Sequence, residues 1–174
     1  MKSQIIKKAI SGDSEALAEL IDKHKDIAYN LALSIVKDTE NAKDITHDSF
    51  LAVLENIHKF RNASKFSTWL YRIVYNQSMG FVKKINHLSL IEGESECYEE
   101  QSNSVDNKND CYQELYTAID MLDDNERNLI MLFYIAEKSV KEIASITNLS
   151  GSNIKVILHR ARKKLKERLE YEKF

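Results

Sequence analysis

The sequence predicts an all-α protein made of two small helical domains, and three observations support that prediction. The 174 residues include four glycines and no proline, and β-sheets need both residue types at their hairpin turns. Apolar residues recur at helical spacing through most of the chain. One stretch near the middle lacks this periodicity, so we expect it to separate the two domains.

The N-terminal domain carries three apolar stripes that can close a small helical core. The first stripe follows the start signal Ser11-Gly12-Asp13, and the second follows an N-cap at Asp38 or Thr39. In chain order the stripes are Leu17, Leu20, Ile21, His24, Ile27, Ala28, Leu31 and Ile35; then Ala42, Ile45, Ser49, Phe50, Val53, Leu54 and Ile57; then Phe66, Trp69, Leu70, Ile73, Val74 and Phe81.

Residues 88–111 are predicted to form an acidic, flexible linker. The segment Glu92–Asp110 contains seven acidic residues and one lysine, and such a composition cannot bury enough apolar surface to fold. We therefore expect one domain at residues 1–87 and a second at residues 112–174.

The second domain is predicted to end in a helix-turn-helix. After an acidic turn at Asp123–Asn125, a short helix is expected around Ile143. The polar turn Asn148–Ser152 separates it from a final helix, which Ser150 or Ser152 is expected to cap. The apolar residues of that final helix are Ile154, Ile157, Leu158, Ala161, Leu165 and Leu169.

The polar side of the final helix is predicted to bind duplex DNA. Glu137–Phe174 contains ten Lys and Arg against five Glu. In a helix-turn-helix the start of the second helix meets base edges, and basic residues further along neutralise phosphates. The alternative is a solvated basic helix whose charges favour its dipole. The candidate DNA-binding residues are Ser152, Asn153, Lys155, Val156, His159, Arg160, Arg162 and Lys163.

A second basic segment suggests contact with single-stranded nucleic acid. Glu55–Lys84 contains six Lys and Arg against one Glu, interleaved with aromatic residues. Tyr71 and Tyr75 are one helical turn apart, and Arg72 neighbours Tyr75, so π-faces and cations could hold unstacked bases. The alternative is that the aromatic residues are core, which we expect for Phe66, Trp69 and Leu70.

These residues resemble the sigma factors of bacterial RNA polymerase. Asp124–Leu169 resembles region 4 of that family, through Glu142-Ile143-Ala144 and the string Leu158–Leu165. Asp38–Gln77 resembles region 2. Its motifs are Ala42-x-Asp44, Asp48-x-Phe50-Leu51, Trp69-Leu70-Tyr71-x-Ile73 and Asn76. Two short domains joined by an acidic linker resemble the extracytoplasmic-function subfamily.

The resemblance implies a division of labour between the domains. The N-terminal domain would bind the β′ clamp helices of core RNA polymerase and grip the single-stranded −10 element. The C-terminal domain would bind the −35 element of promoter DNA and the β flap. An anti-sigma factor is a further implied partner. The implied polymerase-binding residues are Asp44, His47, Asp48 and Glu55, and the implied −10 residues are Arg61, Asn62, Ala63, Ser64, Tyr75, Asn76, Lys83 and Lys84.

The chain departs from the family pattern at three places. The usual Leu-Pro that opens region 4 is Leu122-Asp123, a common arginine position is Ile157, and a common aspartate position is Gly80. These changes leave the expected fold intact and predict an unusual or weak preference at the −35 element.

Several other classes of protein are not expected. No apolar run approaches a membrane span and Met1–Ile10 is too polar for a signal peptide, so a cytoplasmic location without membrane insertion is predicted. Cys97 and Cys111 form no CxxC pair and are expected to be incidental thiols, with redox sensing as the alternative. No cofactor and no catalytic set is expected. The alternative function is a stand-alone helix-turn-helix transcriptional regulator.

Overall fold

The computed structural model describes residues 2–60, 64–92 and 117–171, and all of the regular structure within them is helical. This helical structure bears out the predicted all-α class. The chain divides into two compact units, whose main segments are residues 1–97 in the first and residues 98–144 and 148–174 in the second.

Four helices and one short 3-10 turn make up the described part of the first unit. They are α1 (Lys2–Ile10), α2 (Ser14–Val36), α3 (Thr39–Asn56), the 3-10 turn (Ile57–Lys59) and α4 (Phe66–Glu92). Helices α2, α3 and α4 pack against one another in pairs, and α1 packs against α2. The result is a three-helix bundle with one additional helix at its side.

The predicted starts of α2 and α3 are confirmed. Gly12 adopts a φ of 92°, which suits glycine. The Asp13 carboxylate then accepts hydrogen bonds from the backbone N–H groups of Glu15 and Ala16, at 3.0 and 3.1 Å. Asp38, the first of the two expected caps, accepts from the Asn41 N–H at 2.8 Å. These bonds satisfy amide groups that a helix start leaves unpaired.

Small residues line the helix contacts in the bundle. Ala28, Ala32, Ala42 and Ser49 are fully buried, so the helix backbones can approach closely. The Ser49 hydroxyl donates to Gln77 Oε1 at 2.7 Å and links α3 to α4. The sequence placed Leu54 in this core, and that prediction is wrong, because Leu54 is 40% exposed.

An aromatic cluster surrounds the start of α4. The Phe60 ring lies 5.2 Å from Trp69 and 6.0 Å from Phe66, between ring centroids. His24 of α2 lies 5.8 Å from Phe66, and its Nδ1 is 3.2 Å from the Tyr71 hydroxyl. The cluster therefore links Phe60, the start of α4 and α2 to one another.

Tyr71 belongs to this buried cluster rather than to the helix surface. Only 1% of Tyr71 is exposed, and burial raises the pKa of its phenol to about 12. The expectation that Tyr71 offers a π-face beside Tyr75 is therefore wrong. The helical spacing was read correctly, but the face of α4 that carries Tyr71 is turned toward the core.

The second unit contains the predicted helix-turn-helix. Residues 117–120 are helical. The following elements are α5 (Asp124–Ile130), a π-helical turn (Met131–Ile135), α6 (Val140–Thr147) and α7 (Gly151–Tyr171). Helix α5 packs against α7. The π turn was not predicted from the sequence.

A buried arginine connects the beginning of this unit to α5. Arg127 is 5% exposed. Its guanidinium donates to the backbone carbonyls of Ile119, Asp120 and Leu122, and to the Asp124 carboxylate at 3.3 Å. A guanidinium carries five N–H donors in a fixed plane, so one side chain can donate to the carbonyls of several residues at once.

A lysine connects α7 to the start of α5. Lys164 Nζ lies 2.8 Å from carboxylate oxygens of both Asp123 and Glu126. The hydrogen bond from Lys164 lowers the pKa of Asp123, and the same bond raises the pKa of Lys164. Asp123 stands where the family commonly has proline, so this chain uses that position for an ionic contact.

The predicted boundaries of the linker stay predictions. Helix α4 continues to Glu92 and so covers the first residues of the segment that was expected to be a linker. The rest of that segment, 93–111, lies outside the described residues together with Cys97 and Cys111.

Candidate nucleic-acid interface

Polar caps and an apolar core form the helix-turn-helix. The Ser139 hydroxyl accepts from the Glu142 N–H at 3.3 Å, and Glu142 Oε2 accepts from the Ser139 N–H at 2.9 Å, which is a complete capping box at the start of α6. Asn148 ends α6 in the left-handed conformation with a φ of 61°. Ser150 then accepts from the Asn153 N–H at 3.2 Å, which confirms Ser150 as the cap of α7.

The buried residues of α6 and α7 determine which side of α7 faces outward. Ile143, Ile146, Ile154 and Ala161 are fully buried, and Leu158 is nearly so. The eight predicted duplex-binding residues all lie on the opposite, exposed side of α7, and we call this set the α7 face. It comprises Ser152, Asn153, Lys155, Val156, His159, Arg160, Arg162 and Lys163.

The cations of α7 differ in how strongly the protein itself engages them. Lys164 is held by two carboxylates, and Lys163 lies 3.7 Å from Glu167. Lys155 and Arg160 form no salt bridge within the described part of the chain. These two residues are therefore open to phosphates or bases, whereas Lys164 is not. Val156 is 47% exposed beside them and can contact a thymine methyl group.

The exposed side of α4 carries a second polar and basic surface, which we call the α4 stripe. Its residues recur every three or four positions, so they share one side of the helix. No acidic residue occurs in α4 before Glu92, and Lys83 and Lys84 form no salt bridge within the described ranges. The α4 stripe comprises Arg72, Asn76, Gly80, Lys83, Lys84 and His87, all of them exposed.

The other predicted −10 residues fall into three groups. Arg61, Asn62 and Ala63 lie outside the described residues. Ser64 is exposed at a bend two residues before α4 begins. Tyr75 is half-buried, and burial raises the pKa of its phenol. Tyr75 is therefore partly accessible, three residues from the exposed Arg72.

Helix α3 presents an exposed face of mixed acidic and apolar character, which we call the α3 face. The predicted residues Asp44, His47, Asp48 and Glu55 are all exposed on it. Two leucines on this face were not predicted from the sequence: Leu51 is 44% exposed and Leu54 is 40% exposed. Leu51 could have been found by helical spacing alone, since it follows Asp48 by three residues and precedes Glu55 by four.

Neither a cluster of potential metal ligands nor a helix that could span a membrane occurs within the described residues. No group of three or more His, Cys, Asp or Glu side chains is arranged there to hold a metal ion. None of the helices in those ranges combines the length and the apolar character that a membrane span requires.

Family comparisons match both halves of the chain. The family described as "Sigma-70 region 2" matches residues 20–86, and the one described as "Sigma-70, region 4" matches residues 112–165. The ECF RNA polymerase sigma factor SigW of Bacillus subtilis is 30% identical over 180 residues, which cover 94% of this chain and 94% of the relative. The factor SigM of the same organism is 27% identical and covers 85% of this chain and 91% of its own length.

Solved structures share the fold. The sigma factor RpoE of Bartonella quintana, in complex with the anti-sigma factor NepR, superposes with a TM-score of 0.71 at 22% identity and covers 88% of this chain and 96% of its own. CnrH, in complex with the cytosolic domain of CnrY, gives a TM-score of 0.67 at 22% identity and covers 96% of each chain.

Proposed function

The chain belongs to the sigma-70 family of RNA polymerase sigma factors, within the extracytoplasmic-function group, and we propose that its two units hold a promoter at two separate points. As a sigma factor it directs RNA polymerase in transcription initiation. The comparisons do not favour the alternative of a stand-alone regulator. We place its work in the cytoplasm, as a non-catalytic subunit of the polymerase.

The α7 face is proposed to read the −35 element as duplex DNA. The observation that supports this role is that Lys155 and Arg160 form no salt bridge within the described residues. Both are exposed on α7, the capped second helix of the helix-turn-helix. Asn153, Lys155 and Val156 lie at its start, where base edges are reached, and His159, Arg160, Arg162 and Lys163 follow along the phosphates.

The α4 stripe and the loop before it are proposed to hold the −10 element as a single strand. Unpairing bases costs a few kcal/mol, so the exposed strand needs a basic path and a surface for stacking. Lys83 and Lys84 supply charge, Asn76 supplies an amide, and the half-buried Tyr75 supplies an aromatic ring. The aromatic cluster holds Phe60 and Phe66, two described residues on either side of Asn62, against each other.

The α3 face is proposed to bind the β′ clamp helices of core polymerase. Exposed leucines among carboxylates suit an interface with a partly apolar centre and a charged rim. The second unit would contact the β flap. An anti-sigma factor is a further proposed partner, because the structurally similar RpoE was solved in complex with the anti-sigma factor NepR.

Run-off transcription tests the function directly. Purified protein is added to core RNA polymerase on fragments of genomic DNA, and discrete transcripts that require both components are expected. Core polymerase alone is the control. Absence of any protein-dependent transcript would contradict the proposal, and so would tight duplex binding by the protein without polymerase.

Lys155→Ala is expected to reduce initiation about tenfold at promoters with an intact upstream element, because one good base or phosphate contact is worth roughly 1–3 kcal/mol. Run-off yield is compared on matched templates with and without the upstream element. Equal loss on both templates would show that Lys155 does not contact that element.

Leu51→Asp is expected to weaken binding to core polymerase at least about tenfold, because it puts a charge at the apolar centre of the α3 face. Affinity for core polymerase is measured by fluorescence polarisation of labelled protein. Ser34→Asp on α2 is the control for adding an acid elsewhere in the same unit. Equal affinities for both variants would remove the α3 face from the interface.

A further inference from the structure

Gly80 occupies a position where the protein's own structure has no use for glycine. It lies in the middle of the 27-residue helix α4 and is exposed to solvent. Glycine in a helix interior destabilises a protein relative to alanine, because it loses more backbone entropy on folding. We therefore looked for an advantage that offsets the loss of helix stability at Gly80.

The usual structural reasons do not apply to Gly80. Gly12 is the described glycine with a positive φ, so the backbone of Gly80 is open to any residue. A Cβ atom added at Gly80 would meet nothing within 4 Å, so no neighbouring helix needs the space. The helix ends at Phe66 and Glu92, each more than three turns away, so Gly80 caps neither end.

The surroundings of Gly80 indicate the kind of molecule that uses the space. At 100° per residue, Asn76, Lys83, Lys84 and His87 all lie within about 60° of Gly80 around the helix axis. The four side chains are exposed. Because α4 has no acidic residue before Glu92, the face is positive or neutral throughout. A bare patch of helix backbone inside a basic rim suits a phosphodiester chain.

We propose that Gly80 is a close-approach point for the backbone of the −10 strand, where the missing side chain lets sugar and phosphate lie directly against α4. The proposal deepens the single-strand role of the α4 stripe and rests on it. Lys83 and Asn76 then contact the strand on one side of Gly80, and Lys84 on the other. Compared with the aspartate that is common at this position in the family, Gly80 removes both a side chain and a negative charge from between the strand and these groups.

The test separates stability from binding, which ordinary loss-of-function variants cannot do. Gly80→Ala is expected to raise the melting temperature of the full-length protein by about 3 °C, because helix propensity rises and nothing is displaced. The same variant, assembled with core polymerase, is expected to bind a fluorescein-labelled forked promoter fragment about fivefold more weakly. Gly80→Leu, which is larger and also uncharged, is expected to weaken it further.

The probe is a fragment of a promoter that run-off transcription has identified, with the non-template strand unpaired at the −10 element. Asn30→Ala is the matched control, because Asn30 is exposed on α2 and the change also raises helix propensity. It should stabilise the protein without altering binding. Affinity for core polymerase should be the same for all variants.

Two results would overturn the proposal. Binding of both Gly80 variants within twofold of the wild type would show that the strand does not approach position 80. A fall in the melting temperature of Gly80→Ala would show that the glycine serves the protein's own packing. The wild-type holoenzyme is also tested on a scrambled fragment. If it binds the promoter fragment and the scrambled fragment equally well, the single-strand role of the α4 stripe is wrong. This control distinguishes failure of that role from failure of the Gly80 proposal alone.

Discussion

The two units of this protein are held together by different kinds of contact. In the first unit, aliphatic and small residues pack between helices, and an aromatic cluster fixes the start of α4. In the second unit, a buried arginine and a partly exposed lysine join elements through hydrogen bonds and ion pairs. Both units have an apolar core, so the difference lies in the polar contacts that the second unit adds to it.

This difference matters because each unit offers its binding residues on one helix. The α4 stripe is held by apolar packing, whose strength changes little with salt. The α7 face is positioned in part by Lys164, whose ion pairs with Asp123 and Glu126 are subject to the same screening that weakens DNA binding. We expect the second unit to be the more sensitive of the two to ionic strength.

Arg127→Met is the change that should affect stability most. It removes the donor from the buried carbonyls of Ile119 and Leu122 and leaves them without that partner, so the free energy of unfolding should fall by about 3 kcal/mol. Urea denaturation measures this loss. Arg127→Lys is the control, because it keeps the charge but not the planar set of donors, and it should recover only part of the stability. Full recovery by lysine would mean that charge alone accounts for the contact.

Tyr71→Phe is expected to have a smaller effect in the first unit, about 1 kcal/mol, through loss of the hydrogen bond to His24. The contribution of Tyr71 to stability depends on pH in the alkaline range. The folded state holds the Tyr71 pKa at about 12, whereas the unfolded chain titrates near 10. Stability from this group is complete below pH 10 and is lost as the pH rises toward 12. The variant should lack that component in urea denaturation at each pH; an identical alkaline decline in both proteins would contradict the assignment.

Lys164→Met is expected to have the smallest effect and the most specific one. The slope of log affinity against log salt counts neutralised phosphates, and Lys164 is already paired with carboxylates. The variant should therefore weaken duplex binding by the holoenzyme without changing that slope. Arg160→Met, at an α7-face cation without a salt bridge in the described part of the chain, should reduce the slope by about one. A reduced slope for Lys164→Met would place Lys164 on the DNA instead.

Much of this fold could be predicted from the sequence because its signals are local. Asp13, Asp38 and Ser150 act as caps, as expected, and capping depends only on the next two or three residues. The basic side of α7 also follows from helical spacing. The residues of the α4 stripe that were predicted, Asn76, Lys83 and Lys84, are exposed for the same reason.

The features that were missed depend on contacts between distant segments. Tyr71 is buried because His24, 47 residues earlier, lies against it, and periodicity within α4 cannot show this. Leu54 and Leu51 are exposed because three helices leave one side of α3 uncovered. The two carboxylate partners of Lys164 lie about 40 residues away, so spacing within α7 could not predict these ion pairs.

In residues 2–60, 64–92 and 117–171, the left-handed residues other than glycine are Lys37, Glu137 and Asn148, each after a helix and with φ between 51° and 61°. Residues with a Cβ adopt this conformation at a cost of roughly 1 kcal/mol or more, and glycine does not. Lys37 and Glu137 are exposed and lie outside the α3 face, the α4 stripe and the α7 face. They are therefore the natural starting points for engineering a more thermostable protein whose promoter preference is untouched.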